Sequence, residues 1–195
     1  MIESSFISHQ SSFTLRLRKV EPSDLPFLYQ WENDASAWAD GSNHNPLSQK
    51  DLRDFITSST GDLYRDGQLR LIIESNSPQD VQTAPRSNSE AFKQRSVLTL
   101  GCIDLFDMDI RNRRAGIGMY IAPEFRGKGY GAVAVKALED YAFGFLDLRL
   151  LYAVIAVTNE PCSHLYRSLG YEPSSVLTAW TLESDAILWQ KRKDS

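Results

Sequence analysis

Cysteine and histidine are scarce in this chain. There are two cysteines, Cys102 and Cys162, and three histidines, His9, His44 and His164, in 195 residues. Two distant cysteines make neither a disulfide framework nor a zinc spacing, and they fit a reducing, cytoplasmic compartment. No histidine stands at ligand spacing from a cysteine or carboxylate, so no metal is expected. A long apolar run is missing as well. The longest, "LLYAVIAV" at 150–157, is too short to cross a bilayer. It reads as a strand buried on both faces. The opening "MIESSFISHQ" has no basic segment followed by an apolar one, so no signal peptide is expected and no membrane partner. Basic residues are outnumbered 25 to 21, a net charge of −4. That speaks against a general nucleic-acid binder and favours cationic partners.

What remains is the composition of an ordinary globular protein, and 195 residues suffice for a single domain with a sizeable core. "FTLRLRKV" at 13–20 alternates apolar and basic residues, as an edge or half-buried strand does. Ser23 or Asp24 can cap a helix running to Asp34, with Leu28 and Trp31 on one face. Ser48 and Asp51 approximate a capping box for a second helix that buries Leu52, Phe55 and Ile56. "LRLIIE" at 69–74 is a strand. The polar stretch that follows, within 75–96, reads as a mobile loop between strands. "VLTLGCIDLF" at 97–106 and "AGIGMYI" at 115–121 are further strands, joined by a turn near "DIRNRR". A helix is expected over 129–146, with Ala134, Ala137, Leu138, Tyr141, Ala142 and Phe145 in one stripe and Lys136, Glu139 and Asp140 facing water. The strand at 150–157, a helix from about Pro161 to Gly170, and strands "VLTAWTL" (176–182) and "AILWQKR" (186–192) complete the chain. Strands and helices mix without a linker or repeat, so the class is α/β or α+β in one domain, 1–195.

One stretch concentrates chemistry. "IAPEFRGKGYG", residues 121–131, holds three glycines in five residues at a junction of strand and helix. A helix N-terminus leaves backbone N–H groups unpaired and carries partial positive charge. Glycines let that backbone approach a ligand, and Arg126 and Lys128 add full charges, so a phosphate or pyrophosphate is the natural occupant. The loop is not a P-loop, since no Gly-Lys-Ser/Thr ends it. Nor is it the dinucleotide fingerprint, because Gly127, Gly129 and Gly131 run G-x-G-x-G. A glycine-rich turn with incidental basic residues is the plain alternative.

The stretch resembles the acetyl-CoA loop of the GNAT N-acetyltransferases, Arg/Gln-x-x-Gly-x-Gly/Ala, through Arg126, Gly129 and Gly131. The context agrees: a strand before the loop, a long helix after it, a strand ending at Asn159, then "HLYRSLGYE". The opening "LRLRKVEPSDLPFLYQWENDASAW" is similar to the branch holding spermidine/diamine acetyltransferases and the acetyltransferases of ribosomal-protein N-termini. The resemblance implies a largely antiparallel central sheet opened by a V-shaped splay and flanked by helices. It implies acetyl-CoA as cosubstrate, with the backbone of Met119, Tyr120 and Ile121 meeting its pantetheine arm. Arg126, Gly127, Lys128, Gly129, Tyr130 and Gly131 would hold the pyrophosphate, and Asn159 would contact the cofactor. Tyr166 matches the tyrosine that protonates the departing CoA thiolate. Read alone, Tyr166 is a core aromatic beside Leu165 and Leu169.

The acceptor is an amine, neutral in only about one molecule in a thousand at pH 7, so something must take its proton. The chain departs from its relatives here. Gly116 ("AGIG") stands where many have a carboxylate ("AEIG"), and Asn43, His44 and Asn45 replace an acidic pair. Glu32, Asp34, Asp104 and Asp107 remain candidates for base or amine recognition, each also readable as a solvated or capping carboxylate. Cys162 near the thioester makes an acyl-cysteine conceivable, although direct attack is the family's usual route. Trp31 and Trp38 could line an acceptor pocket or belong to the core. A small polyamine or diamine is the leading acceptor. The alternatives are a protein N-terminus, or an acetyl-CoA-binding module without catalysis. The resemblance leaves homo-oligomerisation open.

Overall fold

The computed structural model describes residues 5–10, 13–34, 45–76, 97–181 and 183–193, the first of these as backbone only. The expectations for Trp38, Asn43, His44 and residues 77–96 lie outside the described residues, as does the side chain of His9. The described chain forms an eight-stranded sheet in the order β1-β2-β3-β4-β5-β6-β8-β7. The strands are β1 (Ser5–Gln10), β2 (Phe13–Lys19), β3 (Leu69–Ser75), β4 (Leu98–Asp109), β5 (Arg114–Ile121), β6 (Leu150–Ala156), β7 (Glu172–Leu177) and β8 (Ala186–Arg192). Every pairing is antiparallel except β5 with β6.

Alternation along the strands divides the core between two faces. Leu71, Ile73, Ile103 and Ile117 face one side, under α4 (Tyr130–Glu139) and α5 (Glu160–Ser168). Ile72 and Cys102 face the other, under α1 (Leu25–Glu32) and α2 (Gln49–Ser58), where Leu28, Trp31 and Leu52 complete a second cluster. The capping box of α2 is present: Ser48 Oγ accepts from the Asp51 N–H, and Asp51 accepts from the Ser48 N–H. A single helical turn, α3 (Leu63–Asp66), precedes β3 and ends at Gly67, whose φ is +68°.

Several expectations need correction. The segment at 13–20 is the half-buried strand and not the edge: β1, which periodicity did not reveal, pairs along it, and only its Leu15 and Leu17 face is buried. Asp24 gives α1 no side-chain cap; buried, it instead receives two N–H groups of Arg18 and the Glu21 N–H. β6 is not buried on both faces, because Leu151, Ala153 and Ile155 are buried while Leu150, Tyr152 and Val154 are half-covered.

The helix expected to run to 146 is α-helical only to Glu139 and continues as a wider π-helical stretch, Asp140–Phe145. The wider turn shifts the phase of the stripe, so Phe145 is 77% exposed and stacks on Tyr141. Glu139, expected in water, is buried. The strand expected over 176–182 ends at Leu177. The chain then turns at Ala179 (φ +49°), whose N–H donates to Asp185 Oδ1 at 2.7 Å. The strand starts earlier than its sequence suggests, because Pro173 is tolerated on an edge strand.

Candidate functional site

The parallel pair β5–β6 joins only Arg114 to Leu150, Ala115 to Leu151 and Gly116 to Tyr152. Beyond Gly116 the two strands part. β5 stays paired to β4 as far as Ile121, and β6 stays paired to β8 as far as Ala156. A wedge therefore opens between them, bordered on one side by the backbone of Met119, Tyr120 and Ile121. This is the splay that the resemblance implies. Parted backbone is the feature that can take a polar, extended ligand by strand-like pairing.

The glycine loop follows β5 at the open end of the wedge. A turn of 3-10 helix at Pro123–Phe125 leads to Arg126, and α4 starts at Tyr130 with Gly129 as its N-cap. Gly127 (φ +73°) and Gly129 (φ +84°) are left-handed, and a β-carbon at either would meet open space. Their glycines are thus required by backbone conformation. Arg126 is exposed; its Nε donates to the Ile121 carbonyl at 2.8 Å, and its guanidinium lies 5.6 Å from the centre of the Tyr120 ring. The side chain of Tyr130 is buried against Phe13, so only its backbone faces the loop. A β-carbon at Gly131 would lie 3.1 Å from Met119 Cε and 3.4 Å from Leu165 Cδ2. β5, the loop helix and α5 therefore converge at Gly131.

α5 is preceded by its N-cap Asn159, whose side-chain oxygen accepts from the Cys162 N–H at 3.1 Å. Asn159 is thereby a helix cap, whatever else it contacts. Tyr166 follows one turn after Cys162 and is buried, edge-on to Tyr171 with ring centres 4.8 Å apart. Burial, with the nearby Cys162 and Glu139, raises its phenol well above the ordinary range. The group is thus held protonated at neutral pH. A pair that sequence reasoning missed lies beside it: Lys191 Nζ donates to the buried Glu139 at 2.8 Å and lies 5.7 Å from the centre of the Tyr171 ring.

The opposite face of the wedge carries the candidate carboxylates. Arg70 donates through Nε and Nη2 to Asp104 (2.7 and 3.0 Å) and through Nη1 to Glu32. Its guanidinium also lies over the Phe55 ring at 5.4 Å. Asp34 accepts from the Tyr120 hydroxyl at 3.0 Å, and Asp107 accepts from the Tyr152 hydroxyl at 3.3 Å. Burial and Asp34 raise the Tyr120 phenol. Trp31 packs on Tyr120, ring centres 5.7 Å apart. Three of the four carboxylates, Glu32, Asp34 and Asp104, thus gather around α1, β3, β4 and β5. The signal for Arg70 was a lone basic residue between Leu69 and Leu71 in a largely apolar strand. Cys102, on the same face, is pushed up to about 12 by burial, which outweighs the pull of Arg70. A surface depression of about 470 Å³ between Asn112, Arg149, Leu150, Gln190 and Arg192 lies at the closed end of β5 and β6, away from the wedge.

Residues 14–172 match the family model of the acetyltransferase (GNAT) domain. Spermidine N(1)-acetyltransferase of Escherichia coli K12 is 27% identical over 164 residues, covering 83% of this chain and 74% of that one. A Bacillus subtilis protein provisionally named a ribosomal N-acetyltransferase is 39% identical over 71 residues, 36% of this chain and 39% of that one. In fold, the chain is similar to spermidine N-acetyltransferase from Vibrio cholerae, solved in complex with CoA and spermine. Its TM-score is 0.75 at 21% identity, over 94% of this chain and 97% of that one. Another structure of the Vibrio enzyme is dodecameric.

Proposed function

This chain belongs to the acetyltransferase (GNAT) domain family, and from that premise we propose that it transfers the acetyl group of acetyl-CoA to a primary amine of a small diamine or polyamine. The observation that carries this is the wedge between β5 and β6, bordered by Met119, Tyr120 and Ile121 and ending at the Arg126–Gly131 loop. In this reading the wedge takes the pantetheine arm. The backbone N–H groups at the start of α4, with Arg126 and Lys128, take the pyrophosphate. Asn159 borders the same ligand.

The neutral amine attacks the thioester carbonyl directly, forming the new C–N bond. When the tetrahedral intermediate collapses, the C–S bond breaks, and the leaving thiolate takes the proton of the Tyr166 phenol. The proton lost by the amine passes to solvent, and from solvent the phenol is restored. Carboxylates on the Arg70 face favour a cationic acceptor. The spermidine acetyltransferases among the relatives support the same class. The N-terminal amine of a protein is the second reading, favoured by the Bacillus match. A cytoplasmic location belongs to the proposal: two cysteines 60 residues apart, Cys102 and Cys162, make no disulfide framework, as suits a reducing compartment. So does self-association, which sedimentation would test.

The deciding measurement is release of CoA from acetyl-CoA with a panel of diamines, polyamines and free-N-terminal peptides. Turnover of the small amines at least tenfold above peptides supports the first reading. The reverse order supports the second, and no turnover with any acceptor overturns both.

A further inference from the structure

Gly116 and Gly118 leave two successive positions on the Arg70 face of β5 without side chains. Phe106, on β4, reaches across both. A β-carbon at Gly116 would lie 2.6 Å from Phe106 Cε2 and Cζ, so the ring already fills the room a side chain there would need. Over Gly118 the ring is a boundary instead. A β-carbon there would meet Phe106 Cε1 at 3.5 Å and Asp104 Oδ2 at 3.8 Å, both ordinary contacts. The position above Gly118 therefore admits a carbon at ordinary contact distance, with an aromatic edge and a carboxylate beside it. Tyr152 backs the ring from β6, edge-on with centres 6.1 Å apart. Gly116 and Tyr152 form the last pair of β5 with β6, so the ring stands where the wedge begins. Arg70 occupies one N–H on each Asp104 oxygen. A carboxylate has about four acceptor sites, so Asp104 can still accept from an ammonium.

We propose that Phe106 is a specificity-determining residue, which admits an unbranched CH2–NH2 end above Gly118, against Asp104, and excludes an amine whose neighbouring carbon is branched. This rests on the reading of the Arg70 face as the acceptor side. An aminoalkyl end of a diamine or polyamine satisfies the rule. The α-amine of a peptide does not, unless its first residue is glycine, because its α-carbon bears both a carbonyl carbon and a side chain. One carbon of misfit against a hydrophobic wall is worth roughly 10- to 200-fold in discrimination.

The test compares kcat/KM for an unbranched diamine, its α-methyl counterpart and a free-N-terminal peptide, in wild type, Phe106→Ala and Phe106→Leu. Wild type should prefer the unbranched diamine by about 30-fold or more over the branched one. Phe106→Ala should shrink that ratio below about fivefold by gaining on the branched amine, with KM for acetyl-CoA unchanged. Phe106→Leu, which keeps most of the packing, should fall between and serves if the Ala variant does not fold. Wild-type turnover with the same ratio in the folded variants overturns this proposal alone. Absence of turnover with every amine in wild type overturns the acetyl-transfer reading as well.

Discussion

Lys191 on β8 donates to Glu139 on α4 at 2.8 Å, joining residues 52 apart in sequence beside the ring of Tyr171. The other Glu139 oxygen, the Tyr171 hydroxyl and the Trp189 indole nitrogen are buried without hydrogen-bond partners among the described residues. Each such group costs about 1–3 kcal/mol. The pair therefore sits in a core that gains little from it, directly behind Tyr166.

Removing one partner should hurt more than removing both. Lys191→Met should lose about 3 kcal/mol, because it leaves a buried carboxylate uncompensated. Glu139→Leu with Lys191→Met should recover that loss and end neutral or up to a few kcal/mol more stable than wild type. Urea midpoints at constant m-value measure both. A double variant as unstable as Lys191→Met would show that the ion pair, not its absence of partners, sets the energetics.

Tyr166→Phe removes one oxygen and keeps the ring against Tyr171. If the phenol protonates the thiolate, kcat falls about 10- to 1000-fold while acetyl-CoA affinity holds. If Tyr166 is only packing, turnover stays near wild type and Tyr166→Ala costs about 3–5 kcal/mol. Steady-state CoA release with parallel thermal melts separates these results, provided chemistry limits the rate.

Gly129→Ala should cost about 1 kcal/mol, because φ is +84°. Gly67→Ala carries the same strain at φ +68°, with no atom within 4 Å of its β-carbon and no place in the loop. Both should therefore lose similar stability, but only Gly129→Ala should weaken CoA binding by calorimetry. Equal CoA affinity in the two variants would remove the loop from the site.

Stability should fall as pH rises above about 9. The folded state holds the Cys102 thiol up at about 12 against an ordinary 9.0, and burial raises the phenols of Tyr166 and Tyr171 as well. Native chains thus keep protons that unfolded chains release. The stabilisation is complete below the unfolded value and is lost as pH climbs through the folded one. Cys102 alone contributes a slope of up to about 1.4 kcal/mol per pH unit in that window. Denaturant midpoints at pH 8, 9.5 and 10.5 should decline, less steeply in Cys102→Ala. Iodoacetamide at pH 8 should leave Cys102 unlabelled in the folded chain.

Local chemistry was determined by the sequence alone. The Ser48–Asp51 capping box, the glycines at 127 and 129 and the apolar periods of β3, β5 and α4 depend on neighbours within a turn or a strand, so spacing reveals them. The loop and the helix of Tyr166 were legible for the same reason. Only the tertiary structure decided which side chains meet across elements. Glu139 reads as a solvent-facing helical residue until β8 places Lys191 over it. Gly116 reads as a missing carboxylate until β4 lays the ring of Phe106 in its place. Arg70, Glu32 and Asp104 come from three separate segments and form one cluster only through the strand register and the docking of α1. Such contacts depend on strand register and on the packing of segments up to 52 residues apart, and no local period encodes them.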